Sequence, residues 1–310
     1  MASKVPQYSR ALAVLSSLAV FAIAGSTYAN SRKPIQLDSA SNLPTKAFTF
    51  PSGMLFSKRL TVTHTEQVNH DTKRVTFALP GRNSQVSGMP AGSAILTQHT
   101  PAGGWFPVFR PYTPISDPNE PGTLQLLVKQ YPNGKASSHI HSLQPGDQLT
   151  VRGPIPGYTY TPSSQPQPRD LIFVAGGAGI TPIYSLARGI LRDKNDNTRI
   201  QLLWGVNGTR DIVLKSELEA LEREYPSRLR VTYAVSGADG TLGKEEKYKK
   251  GYINKSMLHE AIARSENSSW GDAKGTKVWL CGPPTMESAL AGKDGALAEL
   301  GVIGNEVHKF

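Results

Sequence analysis

The hydrophobic pattern of this chain changes period partway along, which calls for a fold of two unlike parts. From about Pro51 apolar residues recur at every second position: Leu60 and Val62, then Val75, Phe77 and Leu79, then Leu124, Leu126 and Val128, then Leu149 and Val151. Turn clusters separate these runs at Pro80-Gly81, Pro90-Ala91-Gly92, Asp117-Pro118-Asn119, Pro132-Asn133-Gly134 and Pro145-Gly146-Asp147. Short strands at this spacing predict an antiparallel β-barrel or sandwich over 51–165. A proline-rich connector, Tyr160 to Pro168, ends that texture. Leu171 to Ala175 is then a continuous apolar run, as in a strand buried on both faces. A helix over Pro182 to Arg192 follows, then a strand at Ile200 to Val206 and a helix at Ser216 to Glu224. After them come a strand at Leu229 to Val235, a helix within Ile253 to Ser265 and a strand at Val278 to Cys281. Strands alternating with helices predict a doubly wound parallel sheet over 166–310.

The 310 residues supply ample core for two domains, and the single cysteine, Cys281, excludes an internal disulfide or a cysteine-rich metal site. The net charge is +10, and half of that excess lies in residues 1–58, which hold six Lys/Arg and one acid. No basic stripe with interleaved aromatics appears, which argues against nucleic acid; Lys247, Lys249 and Lys250 read as a solvated loop. Residues 1–50 read as a targeting or anchoring segment and tether. Ala11 to Ala29 is uncharged and flanked by Arg10, Arg32 and Lys33. At 1.5 Å per residue it just reaches across a hydrocarbon core of about 30 Å. A membrane span, a cleaved signal peptide and a mitochondrial targeting region all fit these residues.

Four segments carry chemistry when taken in order. In Arg110-Pro111-Tyr112-Thr113, Arg110 and Tyr112 are two apart on a strand and so share a face. The arginine offers a fork for a pyrophosphate, the tyrosine a flat ring for an aromatic cofactor, and Thr113 a hydroxyl for its polar edge. Gly134-Lys135-Ala136-Ser137-Ser138 opens a short helix at Ser138 and makes an anion site of backbone N–H groups, a lysine and hydroxyls. Gly176-Gly177-Ala178-Gly179, with Ile180-Thr181-Pro182 after it, lies between a strand and a helix, the context in which a glycine loop receives a nucleotide diphosphate. Cys281-Gly282-Pro283 follows the last strand, where ligands of a doubly wound sheet lie. Cys281 is placed to pack or polarise a nicotinamide; no histidine neighbours it to make it a nucleophile. His139 and His141 have no carboxylate or metal-ligand partner in sequence and read as structural. The first two segments suit a flavin and its phosphates, the last two a nicotinamide nucleotide. No metal site is expected.

Together these segments resemble the NADH–cytochrome b5 reductase family of ferredoxin reductase-like flavoproteins, over residues 45–310, and within it the fungal mitochondrial form. Supporting stretches include FRPYTPISD, YPNGKASSHIHSLQPGDQLTVRGPIPGY, NGTRDIVLKSELEAL and GYINKSML. The resemblance implies FAD held by Arg110, Tyr112, Thr113, Lys135 and Ser137, and NADH held by Lys129, Gly176, Gly177, Gly179, Cys281, Gly282 and Pro283. It implies hydride transfer from NADH to the flavin, with Thr113 and Cys281 beside the reacting rings, and single electrons passed to a cytochrome b5-like haem protein. It further implies a mitochondrial protein of the outer membrane or intermembrane space, anchored through residues 11–29.

Two departures from the family pattern bear on the donor. Ala178 stands where the family usually has threonine, removing a hydroxyl. Ser236 falls where the family often has an aspartate that rejects a 2′-phosphate, so NADPH is not excluded. Readings from other classes are a flavin reductase acting on quinone or ferric acceptors, and a nucleotide-binding sensor without turnover.

Overall fold

The computed structural model describes residues 44–155, 160, 169–237, 245–264 and 277–310. The expected segment 11–29 and most of the proline-rich connector lie outside these residues. Among the described residues no helix is long and apolar enough to cross a membrane.

The alternating runs form one antiparallel six-stranded sheet. Its strands are β2 (Lys58–Gln67), β3 (Thr72–Ala78), β5 (Ala94–His99), β6 (Val108–Tyr112), β7 (Thr123–Lys129) and β8 (Gln148–Ile155), in the order β6-β5-β8-β2-β3-β7. Two-residue strands β1 (Thr45–Lys46) and β4 (Gln85–Val86) pair in parallel beside it. The inward residues, among them Leu60, Val62, Val75, Phe77, Leu124, Leu126 and Val151, close one core. Helix α1 (Ser52–Leu55) packs on β8, and α2 (Lys135–Ser142) lies against β5, β6 and β7.

The second sheet is wholly parallel. It holds β9 (Asp170–Gly176), β10 (Arg199–Val206), β11 (Leu229–Val235), β12 (Tyr248–Lys250), β13 (Lys277–Cys281) and β14 (Val307–Lys309), in the order β12-β11-β10-β9-β13-β14. Its helices are α3 (Ile180–Arg192), α4 (Lys215–Glu224), α5 (Lys255–Ala263), α6 (Pro284–Ala291) and α7 (Ala296–Glu299). Residues along β9 alternate between two cores. Leu171, Phe173 and Ala175 face α3 and α4, whereas Ile172 and Val174 face α5 and the helices after β13. That double burial is why the run is apolar throughout.

The lysines expected in a solvated loop are a correction: Lys249 and Lys250 belong to edge strand β12, and Lys247 pairs with Glu219 at 3.1 Å and Glu245 at 3.0 Å. Helix α2 also starts at Lys135, three residues before the expected Ser138.

The barrel and the α/β part meet along two seams. At the first, α3 lies against the barrel. The Arg188 guanidinium, 8% exposed, donates to the carbonyls of Ile115 (2.7 Å) and Ser116, and Gly92 N–H donates to Ser185 Oγ at 3.1 Å. A Cβ on Gly189 would lie 2.5 Å from that of Ala91, so glycine is required for this approach. At the second seam the β2–β3 turn meets residues 210–217: Asn69 donates to Arg210 O at 3.0 Å, His70 lies 3.8 Å from Asp211, and Arg74 pairs with Glu217.

Candidate functional site

In the parallel sheet β9 neighbours β13, although three strands intervene in sequence. The winding therefore reverses between them, and a crevice opens at their carboxyl ends. Gly176 ends β9 and Cys281 ends β13. Gly177 adopts φ +51°, a left-handed conformation that favours glycine. A Cβ on Gly179 would sit 2.1 Å from the Cys281 carbonyl oxygen, and one on Gly176 would sit 2.6 Å from Met286 Sδ and 2.9 Å from Pro283 Cδ. These two glycines thus admit the chain's own Cys281-Gly282-Pro283 segment, which seats the two expected nucleotide motifs against each other. Trp204 fixes the loop from below, its indole donating to Gly177 O at 3.0 Å. Thr181 donates to Ala178 O at 3.2 Å, and Pro182 is buried in the first turn of α3.

A cleft of about 640 Å³ opens over this loop, and Lys129, Tyr131, Gly177, Thr181, Ser236 and Pro283 are among its walls. Lys129 Nζ lies 2.6 Å from Asp71. Burial alone would raise the Asp71 carboxyl, but Lys129 and the Thr72 hydroxyl outweigh it and hold it below the usual range. Ser236 donates from Oγ to Val206 O at 3.3 Å and carries no charge to repel a phosphate.

On the barrel side, Arg110 faces Thr97 and Tyr112 faces Ile95 across the β5–β6 ladder, so the two share the inward face as their spacing predicts. Tyr112 packs on the barrel core, and its phenol is pushed up to about 12 by burial, with Tyr131 adding and Arg110 opposing. Arg110 is exposed, Pro111 lies on the other face, and Thr113 is buried just past the strand. Gly134 caps α2 with no side-chain bond to the helix N-terminus. A Cβ there would lie 2.4 Å from Ser137 Oγ. The buried Ser137 hydroxyl donates to Gly134 O at 3.1 Å and accepts from Tyr131 N–H at 3.3 Å. It braces the turn, beside the first-turn amides, the exposed Lys135 and Ser138, groups able to meet an anion. A flat ring, an exposed guanidinium and an uncapped helix start fit an isoalloxazine joined to a diphosphate. The histidines take structural places: His141 Nε2 lies 2.7 Å from Val128 O, and His139 stacks on His99 at 3.5 Å.

The two halves meet at Tyr131, which no expectation singled out. Its phenol is pushed up by burial; Lys129 opposes this, and Asp71 and Cys281 add to it. Tyr131 lines the cleft with Gly177 and Pro283 and is near enough to Tyr112 and Cys281 to interact with both, which sets it between the end of β6 and the end of β13. Burial, with Glu287 adding, pushes the Cys281 thiol up to about 11, so it stays protonated at neutral pH and is no thiolate nucleophile. Asn207 and Tyr252 also line the cleft and were missed. Asn207 directly follows β10, and the rule that ligands gather at strand ends could have found it.

Comparison with known proteins gives the same division. The oxidoreductase FAD-binding domain family matches residues 59–160, and the oxidoreductase NAD-binding domain family matches 173–291. NADH-cytochrome b5 reductase 2 of Emericella nidulans is 39% identical over 256 residues, 79% of this chain and 75% of that protein. The protein of the same name from Pyricularia oryzae is 38% identical over 277 residues, 86% of this chain and 78% of its own length. Among solved structures, the cytochrome b5 reductase domain of Ulva prolifera nitrate reductase superposes with a TM-score of 0.71 at 28% identity, over 86% of this chain and all of that one. The CS-b5R domains of human Ncb5or, in an NAD+ form, give a TM-score of 0.67 at 25% identity, over 82% of this chain and 69% of that one.

Proposed function

Since the chain belongs to the NADH–cytochrome b5 reductase family, we propose that it is an FAD-dependent oxidoreductase that draws on NADH and reduces a cytochrome b5-type haem protein. The observation that carries this reading is the cleft over the glycine loop, which Lys129 and Tyr131 line together with Gly177, Thr181 and Pro283. FAD, when bound, accepts hydride from NADH and releases electrons one at a time.

The chain's own residues supply grip, alignment and exclusion of water. Arg110, Lys135 and the amides at the start of α2 would hold the diphosphate of the flavin cofactor, and Tyr112 would offer its ring to the isoalloxazine. Thr113 offers its hydroxyl at the ring's polar edge. The Gly177–Gly179 turn and the start of α3 receive the dinucleotide's phosphates, with Lys129 on the opposite wall. Cys281, neutral and half-buried, would pack the nicotinamide at the reacting end. No side chain need take or give a proton, because hydride transfer calls mainly for rings held about 3–3.5 Å apart.

The test is an anaerobic titration followed by visible absorbance. The purified protein is expected to be yellow and to bleach with NADH; a folded, colourless protein unable to take up FAD would overturn the reading. NADPH in the same titration tests Ser236. The variant Ser236→Asp is expected to lower kcat/KM for NADPH by about tenfold, the effect of roughly 1.4 kcal/mol of added repulsion, with NADH little changed.

The location proposed is mitochondrial, at the outer membrane or in the intermembrane space, with residues 11–29 as anchor. Its support is the uncharged run itself, flanked by Arg10, Arg32 and Lys33. Fractionation of mitochondria with alkaline extraction tests it: extraction of the full chain into the soluble fraction would contradict the anchor.

A further inference from the structure

Strand register places Arg59, Thr150, Gln98 and Phe109 directly across from one another on β2, β8, β5 and β6. They share the barrel's outer face, opposite the one to which Arg110 and Tyr112 contribute. Just beyond one end of this row, the β5–β6 connection projects Trp105 and Phe106, 92% and 83% exposed. Toward the other end, α1 lies on β8, where Arg152 donates to Leu55 O at 2.8 Å. There Leu55 and Phe56 are 65% and 71% exposed. Isolated exposed apolar residues are ordinary, but two aromatics in sequence at a hairpin end, continued by Phe109, Leu55 and Phe56, are not.

The charge on this face is of one sign. The segments that build it, residues 50–59, 99–110 and 148–155, contain not one Asp or Glu, and the basic residues that register places on this face are Arg59 and Arg152. A tryptophan beside a phenylalanine suits the headgroup region of a bilayer, where an amphipathic ring meets both phases, and a cationic rim suits anionic lipid. The chain's covalent path agrees. Fourteen residues, 30–43, separate the uncharged run from the first described residue, Pro44, and cannot span more than about 50 Å. Phe50, Leu55 and Phe56 follow within a dozen residues of Pro44.

We propose that this outer barrel face rests on an anionic lipid bilayer, with Trp105 and Phe106 entering the interface and Arg59 and Arg152 on the headgroup side. The pose rests in part on the anchor reading above, since the tether is what delivers the face to the lipid.

The experiment reconstitutes the full chain with vesicles of brominated phosphatidylcholine, with and without phosphatidylserine, and reads tryptophan emission and co-sedimentation. Trp105→Phe subtracts the other three tryptophans. Loss of Trp105-dependent emission in the anionic vesicles, reversed by high salt, is the expected result. The double variant Trp105→Ser/Phe106→Ser should still sediment through the anchor and keep its NADH–ferricyanide rate. Sedimentation with no Trp105-dependent loss overturns the face and leaves the anchor standing. No sedimentation and no loss overturns both. Protection of Trp105 by self-association instead, seen in sedimentation velocity without lipid and abolished in the double variant, assigns the face to a second copy and overturns the lipid proposal.

Discussion

The two seams between barrel and α/β part are built on opposite principles. Along α3 the contact is dry and directional: a buried guanidinium satisfies two backbone carbonyls two and three residues past Thr113, and a glycine removes the side chain that would hold the helix off. At the β2–β3 turn the contact is made by side chains with partial access to water, Arg74 with Glu217 and His70 with Asp211. Desolvated bonds to backbone carbonyls keep their strength in salt and fix position, whereas charged side-chain contacts with access to water are weaker and partly screened. The first seam therefore acts as the fixed pivot between flavin strand and nucleotide helix, and the second as the adjustable edge.

The sharpest way to break this contrast is Arg188→Ala. It leaves two buried carbonyls unpaired and is expected to cost about 2–4 kcal/mol in urea unfolding, with no relief from salt. Because Arg188 holds the segment following Thr113, NADH-driven flavin reduction in stopped flow should slow as well, and Arg188→Lys should restore part of the rate. An unfolding midpoint that matches the parent would remove the pivot. Next in size, Gly189→Val forces α3 away from Ala91 and should cost about 1–3 kcal/mol in the same measurement. At the other seam, Glu217→Gln should cost no more than about 1 kcal/mol, and raising the salt should erase the difference from the parent. The smallest effect is in pH. The Asp71 carboxyl is held below its usual 3.8, so its contribution is complete above that value and is lost as pH falls through the lower folded pKa. Asp71→Asn should flatten that acid limb in chemical denaturation and leave the neutral midpoint nearer the parent's than Arg188→Ala does.

What the sequence made legible were features whose physical cause is local. Leu124, Leu126 and Val128 alternate because a barrel wall has one wet face, and Leu171 to Ala175 do not because both faces of β9 are covered. The glycine loop was readable from the strand before it and the helix after it. The three-residue strands β12 and β14 were not, since neither is long enough to show a period and both are defined by parallel partners far away. Helix α6 was hidden in Pro283-Pro284, which reads as a turn, although proline is well suited to the first helical position. Tyr131 was missed because its place depends on where Cys281 comes to lie. Arg188 left a fainter trace: an arginine on the buried side of a helix, beside Tyr184, Ala187 and Leu191.

The seating of Gly176 and Gly179 on Cys281, Pro283 and Met286 has a practical corollary for anyone recombining members of this family. A chimera that imports the glycine hairpin from one homologue and the carboxyl-terminal turn from another splits a mated pair, and bulk added to either half has nowhere to go. Donor preference is better re-engineered at Ser236, whose hydroxyl, among the described residues, leans on the Val206 carbonyl and whose replacement disturbs neither partner.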